Sequence, residues 1–269
     1  MRVAGKAMGS SVGWLTMELA DRGHAAMADR YRIGAEIDGG EAVSTANGLL
    51  YAARSDFPVL ANGALLLGEG DAVELLADAR EFFGDRQRGF TLLARSDPEA
   101  AAAEAAGMHL LIERYPAMVR HERFAERVVA GAELRRVSDE RDARVYAAVA
   151  DAAFPAIGMP PGLLADLPAE GFLRDDSAGF VAYEGDRPLA CASVVVARGI
   201  AGIQWVAVID EARGRGLADA CTRAASNAGF DLGADCAWLE ASHMGEPVYL
   251  RMGFEEVFNY RMYVAPAPG

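Results

Sequence analysis

The chain has 269 residues, 52% of them hydrophobic, which is enough for one large domain or two ordinary domains with a sizeable core. Its formal net charge of −13 argues against non-specific binding to nucleic acid, because the surface would repel a polyanion, and it favours small cationic or neutral substrates. The apolar runs fall far short of the ~20 residues of a membrane helix, and the N-terminus lacks the apolar segment of a secretory signal. We therefore expect a cytoplasmic protein that binds neither nucleic acid nor a membrane.

The first part of the chain has the pattern of a helix, two strands, a helix, a strand, a helix and a strand. The glycine-rich, acidic residues near 38–41 predict a loop after the first helix. Pro98 stands in the first turn of the third helix, where proline is tolerated. The predicted helices cover residues 14–31, 71–83 and 98–106, and the predicted strands cover residues 49–53, 59–67, 90–94 and 108–113.

The second part repeats much of this order after a charged crossover at residues 120–127, which is either a linker or a bridging helix. Ser138 or Asp139 is the expected N-cap of the next helix, and the Pro- and Gly-rich residues 155–162 end it. The predicted helices cover residues 139–154, 216–229 and 246–251, and the predicted strands cover residues 179–183, 189–196, 203–209, 236–241 and 256–264.

Glycines at element boundaries coincide when the two halves are shifted by 146 positions. The coinciding pairs are Gly68 and Gly214, Gly70 and Gly216, and Gly107 and Gly253. Together with the shared element order, they favour a degenerate tandem repeat. We therefore predict an α/β (α+β) fold of two similar domains, residues 1–120 and 121–269, each with a mixed, largely antiparallel sheet flanked by helices.

The bend Arg213-Gly214-Arg215-Gly216 follows an apolar strand and precedes a helix. Its glycines let the backbone approach a ligand, and the unpaired amides of the helix start favour a phosphate or pyrophosphate. The bend lacks the lysine and hydroxyl of a P-loop, and Asp219 replaces the third glycine of a dinucleotide-binding motif, so ATP and NAD are disfavoured. An ordinary strand-to-helix turn remains the alternative.

The bend and a downstream segment together resemble the GNAT superfamily of acyl-CoA-dependent N-acetyltransferases. Its RxxGxA motif is present as Arg213, Gly216 and Ala218, and its YxxxGF element as Tyr249, Gly253 and Phe254. The resemblance implies two GNAT-like domains with acetyl-CoA as co-substrate. It also implies that the pyrophosphate is bound by backbone amides; the residues concerned are Gly214, Arg215, Gly216, Leu217 and Ala218.

Further residues take their expected roles from this resemblance. Tyr249 would protonate the leaving thiolate, since a phenol of pKa ~10 can return a proton to a thiolate of comparable basicity; the alternative is that it only packs. Ser242 stands where the family often has asparagine, and it would bond the pantetheine arm or cap a helix. The adjacent His243 is interpreted as a surface or capping residue rather than a base.

The strand at residues 203–209 splays from its neighbour in this family, so its open backbone receives the pantetheine like an added strand. By resemblance this role falls to Val206, Ala207 and Val208. A general base is not assigned: only Gln204, Asp210 and Glu211 lie near this strand, and a water chain or a neutral amine would serve instead.

The first half lacks the corresponding chemistry. Under the shift, Leu67 stands at the place of Arg213, while Glu69 and Asp71 place carboxylates at the helix start, where they repel a pyrophosphate. Ala103 stands at the place of Tyr249. We interpret residues 1–120 as a non-catalytic domain that supports the catalytic one or shapes its substrate cleft.

The three cysteines have no CxxC spacing, so we predict neither a metal site nor a disulfide framework. Cys221, in the helix after the bend, is the one that a covalent mechanism would use. Its place on a packed helix face favours a core residue, as for Cys191 and Cys236.

The sequence therefore predicts an acyltransferase that moves an acetyl group from acetyl-CoA to an amine of a small molecule or peptide by direct attack. Residues 154–172 would form part of the acceptor wall. The alternative is a non-catalytic acyl-CoA-binding sensor or assembly module. A longer acyl donor and a hydroxyl acceptor also stay open.

Overall fold

The computed structural model describes residues 10–268, with side chains from residue 18 onward. The elements of the first half are α1 (Ser10–Ile37), β1 (Glu41–Ser44), β2 (Gly48–Ala52), β3 (Asn62–Leu66), α2 (Ala72–Gly84), β4 (Phe90–Ala94), α3 (Asp97–Ala105) and β5 (His109–Arg120). Those of the second half are β6 (Glu133–Arg136), α4 (Glu140–Ala153), α5 (Glu170–Leu173), β7 (Ser177–Glu184), β8 (Arg187–Ala197), β9 (Ile200–Val208), α6 (Leu217–Asp231), β10 (Cys236–Glu240), α7 (Glu246–Arg251) and β11 (Glu255–Ala265).

The eleven strands within residues 10–268 join one sheet in the order β1-β2-β3-β4-β11-β5-β10-β9-β8-β7-β6. The pairs β3 with β4 and β9 with β10 are parallel, and the other neighbours are antiparallel. The prediction of mixed, largely antiparallel sheets flanked by helices is therefore confirmed. The sequence did not show that the strands of both halves form one continuous sheet.

The two halves exchange their last strands. β11, at the end of the second half, lies between β4 and β5, while β5, at the end of the first half, lies between β11 and β10. Each half of the sheet is thus completed by a strand from the other half. The division at residue 120 stays a prediction.

The shift of 146 residues describes the later elements of the two halves well. It carries Phe90–Ala94 onto Cys236–Glu240, and it carries the first residue of β5 onto the first residue of β11.

Of the two residues predicted as the N-cap of α4, Asp139 is the cap, and its carboxylate accepts a hydrogen bond from the amide of Asp142 at 2.9 Å. Ser138 instead donates its hydroxyl to the Asp142 carboxylate at 2.8 Å.

The sequence predictions differ from the structure at several strands. The short edge strand β1 was not predicted, and its first residue, Glu41, lies in the expected loop at residues 38–41. β3 begins at Asn62 rather than at residue 59. β6 was missed because, like β1, it is short and mostly exposed, so it has no apolar pattern. Of the two alternatives for the crossover, the structure has the linker: residues 121–132 are irregular chain.

α1 lies across the centre of the sheet and packs against strands of both halves, namely β1, β2, β8, β9 and β11. Its buried residues Ala26 and Met27 share a core with Trp238 of β10. Gly23 faces the same indole, since a Cβ at this position would come within 2.5 Å of the ring. α1 therefore fastens the first half to the second. No helix within residues 10–268 is both long and apolar enough to cross a membrane.

Candidate functional site

β9 and β10 separate into a wedge after a short parallel contact. Their pairing covers Ile200 to Gly202 on β9, opposite Cys236 to Trp238 on β10. Farther along, β9 remains paired only with β8, for example at Val208 opposite Ala190. The backbone edge of β9 that faces β10 is therefore open at residues 203–208, where the sequence placed the splay.

A β-bulge at Trp205 shapes this open strand. Cys191 pairs with Ala207 whereas Ser193 pairs with Gln204, so two residues of β9 oppose one residue of β8. Trp205 has a positive φ of 52°, and the Tyr146 hydroxyl donates to its carbonyl oxygen at 3.1 Å. The bulge redirects β9 at the mouth of the wedge.

The loop after β9 leads into the start of α6. Gly214 and Gly216 have φ values of +75° and +82°, which is the left-handed region that glycine adopts without strain. No side chain caps α6, and no acceptor among residues 10–268 takes the amides of residues 214–219. This helix start therefore offers unpaired donors together with the positive end of its dipole.

Arg127 lies over this loop, although sequence reasoning placed it only in a charged crossover. A Cβ at position 216 would come within 2.6 Å of its guanidinium nitrogen. Arg127 donates to the Asp219 carboxylate at 2.6 Å, and Arg223 also pairs with Asp219. The acidic residue in the first turn of α6 is thus neutralised by two arginines.

The two arginines of the bend are held by acidic neighbours. Arg213 pairs with Asp210 at 2.6 Å, and Arg215 pairs with Glu184 on β7. Glu211 pairs with Arg187. Asp210 and Glu211, two of the three groups considered as a base, are therefore engaged in ion pairs beside the loop.

Tyr249 lies on α7 and is only 8% exposed. Its ring meets Phe254 edge to face, with the centroids 5.8 Å apart. Burial raises the pKa of its hydroxyl, so the phenol stays protonated at neutral pH. Ser242 accepts a hydrogen bond from the Gly245 amide at 3.2 Å and so supports the turn before α7, while His243 is exposed.

One cavity of about 1080 Å³ runs through the wedge and along the loop. Every residue that the sequence selected for the site lines it: Val206, Ala207, Val208, Arg213, Gly214, Arg215, Gly216, Leu217, Ala218, Ser242 and Tyr249. Cys221 is fully buried, and burial raises the pKa of its thiol to about 12, which makes it a poor nucleophile. No cluster of three metal-ligating side chains occurs in the described part of the chain.

A protein-family model matches part of the chain. Residues 175–256 match the model described as an acetyltransferase (GNAT) domain. This part of the chain is a GNAT domain. It contains the wedge, the glycine loop and Tyr249. No match is found among curated proteins.

Solved GNAT structures resemble the chain over nearly its whole length. A GCN5-related N-acetyltransferase from Kribbella flavida has a TM-score of 0.67 at 18% identity, with 98% of this chain and 97% of that chain covered. One from Sphaerobacter thermophilus has a TM-score of 0.63 at 18% identity, with 93% and 94% covered. A tandem GNAT protein from the clavulanic acid biosynthesis pathway has a TM-score of 0.55 at 17% identity, with 83% and 80% covered. The fold is therefore that of a two-domain GNAT.

The cavity lining contains more arginines than acidic residues, whereas the whole chain carries a formal charge of −13. Its arginines are Arg30, Arg54, Arg114, Arg127, Arg213, Arg215 and Arg251, and its acidic residues are Asp38, Asp166, Asp219 and Glu240. Arg114, Arg213 and Arg215 are paired with acidic residues outside the lining, so part of this positive charge is already neutralised. The net charge of the sequence gave no indication of this concentration of arginine.

Proposed function

We propose that the protein is an acyltransferase that moves the acetyl group of acetyl-CoA to an amine of a small molecule or peptide by direct attack. The observation that carries this proposal is the set of unpaired amides at the start of α6. They open onto the same cavity as Tyr249 and the free edge of β9, within a GNAT domain.

The loop residues fit a pyrophosphate. The amides of Gly214, Gly216 and Ala218 are free to donate to phosphate oxygens, and the helix dipole favours their negative charge. Arg127 already reaches over Gly216, and its pairing with Asp219 removes a repulsive charge. We assign pyrophosphate binding to the amides of residues 214–218, with Arg127, Arg213 and Arg215 contributing positive potential.

The free edge of β9 fits an extended chain carrying amide groups. Val206, Ala207 and Val208 line the cavity, and their edge toward β10 has no strand partner. A pantetheine arm would pair with these backbone groups as an added strand does. Ser242, on the opposite side of the wedge, would contact the same arm.

Tyr249 is the proposed acid. Acetyl-CoA supplies the thioester: the amine nitrogen attacks its carbonyl carbon, the C–N bond forms, and the C–S bond breaks. The thiolate takes the proton of the Tyr249 hydroxyl. The proton lost by the amine passes through water to the Tyr249 phenolate and restores the phenol. A phenol of ordinary pKa ~10 is protonated at neutral pH, so the residue is present in the form that donates. Burial raises the pKa of Tyr249 and makes it a weaker acid than a free phenol.

Calorimetry with acetyl-CoA tests the binding site. Gly216→Glu should weaken binding by about a hundredfold or more, since it fills the loop, strains a residue at φ +82° and adds negative charge beside the pyrophosphate. Gly68→Glu is the matched control, because Gly68 has a φ of +63° and open space around its Cβ. Undiminished affinity in Gly216→Glu would contradict the assignment.

Release of free thiol from acetyl-CoA with a panel of amines tests the acid. Tyr249→Phe should leave acetyl-CoA binding unchanged and lower kcat by about 10²-fold, the usual contribution of a general acid. Tyr263→Phe removes a hydroxyl that bonds Glu104 on α3 and serves as the control. An unchanged rate in Tyr249→Phe would remove it as the acid. Tight coenzyme binding with no thiol release for any amine would instead favour a sensor or assembly module.

A further inference from the structure

The cavity continues beyond the wedge into a chamber between α1, the start of β3 and residues 154–172, which we call the α1 chamber. Its lining is apolar and aromatic: Tyr31, Ile37, Tyr51, Val59, Leu60, Ile112, Tyr115, Phe154, Met159, Leu163, Leu164, Leu167, Phe172 and Trp205. Tyr31 stacks on Tyr51 with their ring centroids 4.6 Å apart, and Phe154 meets Trp205 at 5.5 Å. Gly171 of α5 lies against Ile37 at the end of α1, so α5 and α1 meet at one side of the chamber.

Arg30 and Arg54 of this chamber are already paired, whereas Asp166 in its wall is exposed and has no ion pair among the described residues. Arg30 of α1 donates to both oxygens of Glu240, and both side chains are at most 9% exposed. Arg54 faces Asp38 at 3.9 Å, and its own amide donates to the same carboxylate at 2.8 Å. A further anion or a second cation deep in the chamber would therefore lie unpaired in an apolar place, which is costly.

Three phenols supply polar groups without charge. Tyr31, Tyr51 and Tyr115 line the chamber, and within the described residues their hydroxyls have no hydrogen-bond partner. Tyr51 is 3% exposed as a whole residue, and its hydroxyl is open to the cavity rather than enclosed in the core. Burial raises the pKa of Tyr115, and the nearby Tyr31 and Glu240 raise it further, so the hydroxyl stays neutral.

Glu240 has room for one more donor. Its Oε1 accepts from the Trp238 indole at 2.8 Å and from Arg30 at 3.0 Å, whereas among the described side chains only Arg30 donates to Oε2, at 2.8 Å. A carboxylate oxygen has two acceptor positions, so one is left on Oε2. Glu240 ends β10, at the junction of the chamber with the wedge.

We propose that the α1 chamber is the acceptor site and that it takes a primary amine carried on an apolar, aromatic body. The amine nitrogen lies at the junction, against Glu240 Oε2 and the phenols of Tyr31 and Tyr115, and the body fills the chamber. A substrate with a carboxylate beside the amine, or with several amines, is disfavoured. This inference rests on the proposed acetyl transfer and specifies its acceptor.

The test compares three amines with acetyl-CoA: 2-phenylethylamine, phenylalanine, which adds a carboxylate, and 1,4-diaminobutane, which replaces the ring by a second amine. The expected kcat/KM for 2-phenylethylamine exceeds the other two by about tenfold or more. Equal or higher values for phenylalanine or 1,4-diaminobutane would overturn the inference. A higher kcat/KM with octanoyl-CoA than with acetyl-CoA as the donor would also overturn the inference, because the chamber would then hold the acyl chain.

Variants separate this inference from the proposed function. Ile37→Asp should raise the KM for 2-phenylethylamine about tenfold or more and leave the Kd of acetyl-CoA unchanged. Tyr31→Phe should raise the same KM by a smaller factor. Val73→Asp, on an exposed position of α2, is the control. An unchanged KM in Ile37→Asp would contradict the chamber.

Calorimetry of 2-phenylethylamine with the CoA-loaded protein reads binding without turnover. Binding that Ile37→Asp weakens supports the chamber even if no acetyl transfer is seen, and in that case only the proposed function fails. Absence of binding, with intact acetyl-CoA binding, overturns the chamber alone.

Discussion

Two loops lie at equivalent places in the two halves of the molecule, and each leads into a helix. The backbone amides at the start of the helix are capped after one loop and free after the other. Residues 67–71 lead into α2, whose N-cap Asp71 accepts from the amides of Val73 and Glu74. The amide of Asp71 itself donates to Asn47 at 3.0 Å. Residues 209–216 form a loop three residues longer, and the amides at the start of α6 have no protein acceptor in the described chain. The same topology thus has a capped helix start in one half and an uncapped helix start in the other.

The diverging strand pairs beside these loops, β3 with β4 and β9 with β10, differ in a similar way. In the first half β3 pairs with β4 only at Gly63 and Ala64, and beyond that point His24 of α1 bonds the Leu66 carbonyl at 2.7 Å. In the second half, the side-chain hydrogen bonds to β9 within the described residues go to the carbonyls of Gln204 and Trp205, and none reaches residues 206–208. α1 therefore occupies one wedge and lines the cavity that continues from the other.

Glycine content does not separate the two loops. Gly68 and Gly214 both have positive φ, at +63° and +75°, so these glycines serve the turn in each half. The loops differ in their helix caps, because the Asp71 side chain caps α2 whereas no side chain caps α6 at Gly216. They also differ in Arg127, which lies over the second loop only. We infer that coenzyme binding depends on these features rather than on the repeat itself.

The largest expected effect concerns α1, which joins both halves. Arg30→Ala leaves the buried Glu240 unpaired and should lower the free energy of unfolding by about 3–5 kcal/mol, measured by urea unfolding. Arg261→Ala removes an ion pair whose Asp97 is 94% exposed and should cost no more than about 1 kcal/mol. Equal effects of the two variants would show that α1 does not hold the halves together through this pair.

The occupied wedge should make stability depend on pH. His24 donates from Nε2 to the Leu66 carbonyl, so Nδ1 accepts from the Tyr260 hydroxyl at 2.7 Å. Burial lowers the pKa of His24 from 6.5 to about 3, so the unfolded chain binds a proton that the folded chain does not. The stabilisation is complete above pH 6.5 and falls by about 1.4 kcal/mol per unit below it.

Urea unfolding between pH 7.5 and pH 5 measures this slope. His24→Gln should flatten it, whereas the exposed His243→Gln should leave it unchanged. The same slope in both variants would show that His24 is not the responsible group.

The smallest expected effect concerns the closed loop. Asp71→Ala removes the cap of α2 and should lower the free energy of unfolding by about 1 kcal/mol. Asp71→Ser, which can still cap the helix, should lose less. Calorimetry should give the same Kd for acetyl-CoA in both variants, and a change in this Kd would indicate that the first half shares the coenzyme site.

Local patterns predicted most elements of the fold. The boundaries of β4 and α7 follow directly from apolar runs and from flanking glycine and proline, and β10 differs from its prediction by a single residue. The exchange of β5 and β11 could not be predicted, because pairing between strands about 146 residues apart leaves no local pattern. The short strands β1 and β6 were missed because they expose most of their side chains.

The candidate site was predicted where one continuous segment carries it. The loop from Arg213 to Ala218 and Tyr249 line the same cavity, although their roles stay a prediction. Arg127 and Arg30 were missed, since they reach the cavity from distant parts of the chain and carry no motif. The concentration of arginine in the lining was also missed, because net charge averages over the whole surface.

Amide hydrogen exchange with and without acetyl-CoA tests the contrast between the two loops most directly. We expect that acetyl-CoA slows exchange at residues 214–219, where the amides are free to donate to the ligand, and leaves exchange at residues 67–75 unchanged. Protection at residues 67–75, or none at residues 214–219 when the protein is saturated with acetyl-CoA, would contradict this expectation.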